Sequence, residues 1–337
     1  MEQWLQTLWY GGSPPSKWLL PLSGLYGAVV ALQRYMFRQG WRSRHRLPVP
    51  VVVVGNITVG GTGKTPLTLA LVQALQARGW RPGIISRGYG ALSGAVHPVA
   101  VDEDPARVGD EPALMAGRSG VPVWVGRDRC TAGRSLLQAH PDVDVLVSDD
   151  GLQHWALKPD VEIVVVDGER LFGNGALLPA GPLREPKKRL ESVDAVVFNG
   201  PQPDWALRPR QFAMTLHPVH WVHVNDATRT LPLAHFRGQT GHAVAGIGHP
   251  ERFFRLLQSL GIAVIPHAFP DHHRYGAGDF ELDSPSLVLM TEKDAIKCRN
   301  LLLPQGWALR VEASCDPGLA VWLDQVLQGR KHGQTAA

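Results

Sequence analysis

The chain has 337 residues, 44% hydrophobic and 19% charged, which suits one large or two moderate globular domains and excludes a wholly disordered polymer. The net charge of +4 hides an asymmetry: residues 1–101 hold ten basic side chains against Glu2 alone, +9, leaving −5 for the remainder. That balance calls for an anionic partner for the N-terminal third: a membrane surface, a phosphorylated substrate or nucleic acid.

Along the chain, the first feature is an uncharged stretch, Trp18 to Gln33, between Lys17 and Arg34. Its 16 residues include Pro21, Ser23 and Gly24, so it is too short and too interrupted to span a bilayer, which takes about 20 mostly apolar residues. With no basic region before it and no small-x-small site after it, it does not read as a signal peptide. Arg34, Arg38 and Arg42 follow at i, i+4 and i+8, a spacing that predicts three guanidinium groups on one helical face. Trp4, Trp9, Trp18 and Trp41 accompany them, and tryptophan favours the headgroup region. Residues 1–47 are therefore expected to form an interfacial helical anchor, against the plainer alternative of a helix packed on the protein with solvated arginines.

Pro48 to Val54, PVPVVVV, is a β-branched run of strand length that predicts a strand buried on both faces. Gly55-Asn56-Ile57-Thr58-Val59-Gly60-Gly61-Thr62-Gly63-Lys64-Thr65-Pro66 comes next, and Leu67, Leu71, Ala74 and Leu75 mark a helix that stops at Gly79. Strand, glycine loop and helix stand in the order of a phosphate-binding loop. Glycines let backbone N–H groups turn toward phosphate, Lys64 reaches the β- and γ-phosphates, and the Thr65 hydroxyl is placed for Mg²⁺. The predicted nucleotide contacts are Thr58, Val59, Gly60, Gly61, Thr62, Gly63, Lys64 and Thr65. Thr58 stands where the usual first glycine falls, and Val59 where deviant Walker ATPases carry a signature lysine. The second departure argues against that ATPase class.

A carboxylate at the end of a neighbouring strand is the next requirement. Val143 to Gly151 supplies Asp149 and Asp150, and Val161 to Asp167 competes with the same pattern. The doublet is favoured, because adjacent carboxylates without a basic neighbour are costly unless a cation joins them. Asp110, in Gly109-Asp110-Glu111-Pro112, precedes an apolar helix and reads either as a site carboxylate or as an N-cap. In Ser86-Arg87-Gly88-Tyr89-Gly90, Arg87 is a candidate phosphate contact, with packing by Tyr89 as the alternative.

Six strands, near 49–54, 82–86, 121–125, 143–149, 161–167 and 194–199, alternate with helical stretches. The fold expected is α/β, a P-loop NTPase-like doubly wound parallel sheet with a second, smaller α/β domain joined by a β linker. The divisions predicted are a helical segment 1–47, a kinase core 48–208, a β linker 209–238, a smaller domain 239–330 and a tail 331–337.

GNITVGGTGKTP, SRGYG, VGDEP, SDDGLQH, LLPAGPLREP, FPDHHRY and TEKDAIK, in this order, resemble the tetraacyldisaccharide 4'-kinase family of the lipid A pathway, from the N-terminal segment to about residue 330. The resemblance implies transfer of the γ-phosphoryl group of ATP to the 4'-hydroxyl of a tetraacyldisaccharide 1-phosphate, giving lipid IVA. ATP and Mg²⁺ are the implied cofactors, an acylated disaccharide lipid the partner, and the cytoplasmic face of the inner membrane the location, held peripherally or monotopically through the N-terminal segment. By position, Lys64 and Thr65 match the phosphate lysine and Mg²⁺ threonine, and Asp149 and Asp150 the metal-site pair. Asp110 matches the carboxylate that takes the hydroxyl proton and His272 its tuning partner, against the alternative of a surface histidine pair. Arg184 and Glu185 resemble active-site residues, although Arg184 reads equally as a surface ion pair. In TEKD the lysine, Lys293, stands one place too late for a guanine-reading motif.

Two other classes share parts of this pattern: a P-loop kinase of a soluble metabolite, which has no need of the Trp/Arg N-terminus, and a membrane-bound ATPase switch. No repeat, low-complexity tract or interleaved basic-aromatic pattern appears beyond the N-terminus, so nucleic acid is not an expected partner. No obligate protein partner is implied.

Overall fold

The computed structural model describes residues 2–88, 94–205, 207, 209–280 and 286–334, so Tyr89 of the SRGYG motif lies outside the described residues. Two helices, α1 (Glu2–Tyr10) and α2 (Leu20–Arg38), precede β1 (Val51–Gly55). Elements then alternate through α3 (Lys64–Gln76), β2 (Pro82–Ser86), β3 (His97–Pro98), α4 (Pro105–Val108), α5 (Asp110–Ser119), β4 (Val123–Val125), α6 (Arg129–Ala139), β5 (Val145–Asp149), β6 (Val161–Asp167) and β7 (Ala195–Asn199). The rest is β8 (Arg210–His223), β9 (Asp226–Pro232), β10 (Thr240–Ala245), α7 (Pro250–Ser259), β11 (Ala263–Ala268), β12 (Val288–Thr291), α8 (Glu292–Ala295), β13 (Gly306–Cys315) and α9 (Pro317–Gln334).

The strands join into one sheet, ordered β11-β10-β12-β13-β8-β7-β6-β1-β5-β2-β4-β3, with β9 paired to β8. β1 lies parallel between β5 and β6, and the order runs outward from it in both directions. Ligand crevices in such sheets open at the carboxyl ends of the strands around that reversal. The side chains of β1 alternate between two cores, as a period of two requires: Val52 and Val54 pack with Leu67 and Leu71 of α3, and Val51 and Val53 with Leu136 of α6. Leu319, Trp322 and Leu323 of α9 return to the first of these cores.

The two strand-like runs read as a linker are β8 and β9, and β8 is itself a member of the sheet. Its first residues, Arg210 to Met214, run parallel to β7, and Met214 to His223 run antiparallel to β13. A hydrogen-bonded strand thus connects the part of the sheet around β1 to the part packed on Trp221, Phe253, Leu257 and Trp307.

The N-terminal segment departs from its predicted form in two ways. α2 ends at Arg38 and Gly40 takes φ 75°, so Arg42 does not extend the face of Arg34 and Arg38; its guanidinium sits 5.8 Å over the Phe37 ring. Trp9 is buried and donates its indole N–H to the Pro179 carbonyl at 3.0 Å, so it is a structural rather than an interfacial tryptophan. One side of α2 is fixed to the protein: Ser23 donates to the Leu177 carbonyl at 2.8 Å and Tyr26 to that of Arg184 at 3.1 Å. The other side, with the turn before it, leaves Trp18, Leu22, Leu25, Val29 and Leu32 exposed at alternating four- and three-residue spacing, Trp18 by 90%. Among the described residues, no helix is long and apolar enough to cross a membrane. Cys130 and Cys298 are buried free thiols, and burial pushes all three cysteines above their ordinary pKa.

Candidate active site

The glycine loop between β1 and α3 takes the backbone shape that its residues permit. Gly60 and Gly63 adopt φ of 103° and 95°, and Gly63 is the N-cap of α3, a left-handed position that glycine occupies without steric cost. Neighbouring segments fix the loop: Val59 N–H donates to the Pro182 carbonyl at 2.8 Å, Arg184 N–H to that of Ile57 at 2.7 Å, and the Asn199 amide to that of Thr62 at 3.0 Å. A Cβ at Gly60 or Gly61 would meet nothing within 4 Å, whereas one at Gly63 would fall 2.6 Å from Asn199 Nδ2. The loop is therefore backed at Gly63 and leaves Cβ-sized space at Gly60 and Gly61, while Gly248 packs near their backbone. Lys64 and Thr65 begin α3 and are largely buried.

Asp149 ends β5 opposite Val54 of β1, and Asp150 follows with φ 46°. Lys64 Nζ lies 3.6 Å from Asp150 Oδ1, and Arg184 approaches both oxygens of that carboxylate at 3.3 Å. Burial alone would raise Asp150; Lys64, Arg184 and Arg129 outweigh it and hold the carboxyl down at about 2. Asp149 behaves oppositely: burial, then the charges of Glu111 and Asp150, push it up to about 7. Thr68 donates to its Oδ1 at 3.1 Å, and its buried Oδ2 has no hydrogen-bond partner among the described residues. An orphaned buried carboxylate oxygen next to a second carboxylate offers the hard-oxygen donors that suit Mg²⁺. The competing Asp167 is otherwise engaged: its Oδ1 accepts from the Glu169 and Arg170 N–H groups within its own turn.

Sequence reading missed Arg129. Its fully buried guanidinium donates to the Asp149 and Asp150 carbonyls at 3.1 and 2.6 Å and so pins the backbone of the doublet. Nothing in the local pattern marks it, since it reads as the first residue of α6 after the N-cap Asp128. Glu185, a predicted substrate contact, is fully buried behind the loop; the Gln153 amide donates to it at 2.8 Å and Arg189 Nε lies 3.3 Å away. Arg87 is exposed just beyond β2, where it influences Arg129 and His154 through its charge.

Asp110 is the first residue of α5, whose N-cap is Gly109, so it does not cap the helix. Its Oδ2 lies 3.0 Å from Nδ1 of His272, which comes from the loop after β11 and holds φ 61°. Asp271 supports that left-handed residue by accepting the His272 N–H at 3.1 Å. Lys297 Nζ stands 4.0 Å from the same Asp110 oxygen and 2.9 Å from Asp294. The structure thus brings together Lys64, Asp149, Asp150 and Arg184, and separately pairs Asp110 with His272. Glu111, the chain neighbour of Asp110, lies near enough to the first group for its charge to raise Asp149.

The sequence model of the tetraacyldisaccharide-1-P 4'-kinase family, LpxK, matches residues 15–328. The chain belongs to this family. It is 49% identical over 319 residues to a tetraacyldisaccharide 4'-kinase of Methylobacillus flagellatus, spanning 95% of this chain and 94% of the relative. A tetraacyldisaccharide 4'-kinase of Dechloromonas aromatica is 50% identical over 337 residues, 98% of this chain and 99% of its own. Among solved structures, LpxK from Aquifex aeolicus in complex with ATP superposes with a TM-score of 0.79 at 30% identity, covering 92% of this chain and 98% of that one. The α/β P-loop fold expected from sequence is that of the LpxK family.

Proposed function

We propose that this LpxK-family chain phosphorylates the 4'-hydroxyl of a tetraacyldisaccharide 1-phosphate at the expense of ATP, and that the residues assembled around Lys64 and Asp110 carry out the two halves of the reaction. The loop N–H groups and Lys64 bind the β- and γ-phosphates, and Thr65, Asp149 and Asp150 would hold Mg²⁺, which would neutralise phosphate charge. Asp110 accepts the hydroxyl proton while the 4'-oxygen bonds to the γ-phosphorus and the bond to the β–γ bridging oxygen breaks, releasing ADP and lipid IVA. The carboxylate helps chiefly by orienting a poor nucleophile as charge develops on it. His272 holds Asp110 in place, and Arg184 stands ready for phosphate. Residues 48–208 serve as the kinase core and 239–330 as the smaller unit that supplies His272.

The observation that carries this reading is the pairing of Asp110 with His272 in a chain whose glycine-loop lysine is 3.6 Å from the acidic doublet. The exposed Trp18, Leu22, Leu25, Val29 and Leu32 supply an apolar stripe that rests on the cytoplasmic face of the inner membrane, where an acylated acceptor resides. The test is transfer of label from γ-labelled ATP into a disaccharide lipid by the wild-type enzyme and by Lys64→Ala and Asp110→Ala. Both variants are expected to lose turnover. Near-full activity of Asp110→Ala would overturn its role, and ATP hydrolysis without lipid labelling would favour an ATPase switch.

A further inference from the structure

The charges of the TEKDAIK segment run along α5 from one end to the other. Glu292 accepts from Arg118, near the C-terminus of α5, at 2.8 Å. Lys293, one residue later, reaches the opposite end: its Nζ is 3.6 Å from Glu111 Oε1 and donates to Asp271 Oδ1 at 3.1 Å. These two carboxylates are the chain neighbours of Asp110 and of His272. One ammonium group therefore ties together the residue after the first member of the pair and the residue before the second.

Asp271 is the more informative contact, because its Oδ1 also accepts the backbone N–H of His272 at 3.1 Å. The same oxygen thus fixes the left-handed His272 and takes the lysine. A non-glycine residue at φ 61° persists only when its surroundings hold it there. Lys297 completes the arrangement from the other side, 4.0 Å from Asp110 Oδ2 and 6% exposed. Lys297 and the histidine both fall on Oδ2 of Asp110, which leaves Oδ1 for a substrate hydroxyl.

We infer that Lys293 is a positioning residue for phosphoryl transfer: by bridging Glu111 and Asp271 it holds His272 against Asp110, and it acts only through that pair. The inference rests on the proposed role of Asp110 as proton acceptor. Small displacements suffice to matter, since a misplacement of about 1 Å costs on the order of 100-fold in rate.

The experiment is steady-state lipid phosphorylation by the full chain in mixed micelles, comparing the wild-type enzyme, Lys293→Met, Lys293→Arg, His272→Ala and the His272→Ala/Lys293→Met double variant, with Asp110→Asn alongside. The expected result for Lys293→Met is a fall in kcat on the order of 100-fold, with KM for ATP unchanged. Partial recovery is expected in Lys293→Arg, and no further loss when Lys293→Met is added to His272→Ala. Full kcat in Lys293→Met would overturn the inference, as would an equal loss on the His272→Ala background or a large rise in KM for ATP. Should Lys293→Met fail to fold, Asp271→Asn weakens the same bridge while leaving Lys293 paired with Glu111, and the same comparison on the His272→Ala background decides. Normal turnover in Asp110→Asn would instead defeat the proton-acceptor reading, and the inference with it. A loss confined to the Asp110 and His272 variants leaves that reading standing and removes Lys293 alone.

Discussion

Nδ1 of His272 sits 3.0 Å from Oδ2 of Asp110, although 162 positions separate them in the chain. A group that holds a general base makes its contribution in the transition state rather than in nucleotide binding. Asp110→Asn is therefore expected to lower kcat by about 10²–10⁴-fold, and His272→Ala by less, each with KM for ATP little changed. Initial rates across a range of ATP concentrations check this; a loss expressed only in KM would contradict it.

The two carboxylates of the acidic doublet should leave opposite marks on stability. Asp149 is raised to about 7 in the folded chain by burial and by Glu111 and Asp150, against ~3.9 unfolded. The folded chain therefore keeps a proton that the unfolded chain has released, so this residue lowers stability progressively as pH rises from about 4 to 7 and in full above that. Asp149→Asn removes the penalty: without nucleotide the variant should melt above wild type at pH 8, the difference shrinking toward pH 4, while phosphorylation is lost. Asp150, held at about 2 against the opposing effect of burial by Lys64, Arg184 and Arg129, contributes stability above pH ~4 that disappears as pH falls toward 2. Calorimetric melting at several pH values measures both; a variant of Asp149 that melts below wild type at pH 8 would refute the first.

Leu25 and Leu32 lie on the exposed stripe of α2, with no part in the protein core. Burying one leucine contributes ~1.5–3 kcal/mol, and about 1.4 kcal/mol is a factor of ten in an equilibrium constant. Leu25→Ser with Leu32→Ser should weaken binding to vesicles containing anionic lipid by more than about tenfold and leave the melting temperature unchanged. Vesicle sedimentation tests this, and undiminished binding would detach the stripe from the membrane.

Arg189 is 4% exposed and pairs with two carboxylates, Glu162 and the fully buried Glu185. Arg189→Met strands Glu185 without its cation, and breaking a buried pair in this way costs about 3–5 kcal/mol. Urea unfolding should register that loss as a lower midpoint. Glu185→Gln in the same chain should recover part of it, because the amide no longer needs the guanidinium. An unchanged midpoint in the single variant would mean that the network contributes nothing to stability.

Much of the nucleotide half could be read locally. A run of valines long enough for one strand, glycines where the backbone must turn, and Lys64 at the start of an apolar helix all concern residues within a few positions of each other, and Asp149 and Asp150 stand where a strand gives way to its loop. The same local reading extended the Arg34 and Arg38 face to Arg42, since spacing records a period and carries no sign that Gly40 ends the helix. It assigned Trp9 to an interface because residue type alone does not reveal the Pro179 carbonyl waiting for its N–H.

Contiguous residues suffice for the glycine turn, the helix that starts at Lys64 and the strand that ends at Asp149, because backbone freedom, helix start and strand end are local properties. Which distant charges meet depends instead on the packing of the whole chain. Arg129 grips the doublet, Glu185 retires behind the loop, and His272 and Lys293 reach α5 because β8 pairs with β7 on one side and β13 on the other. Such meetings depend on strand order in a sheet held together by hydrogen bonds between residues far apart, and short-range periodicity carries no trace of that order.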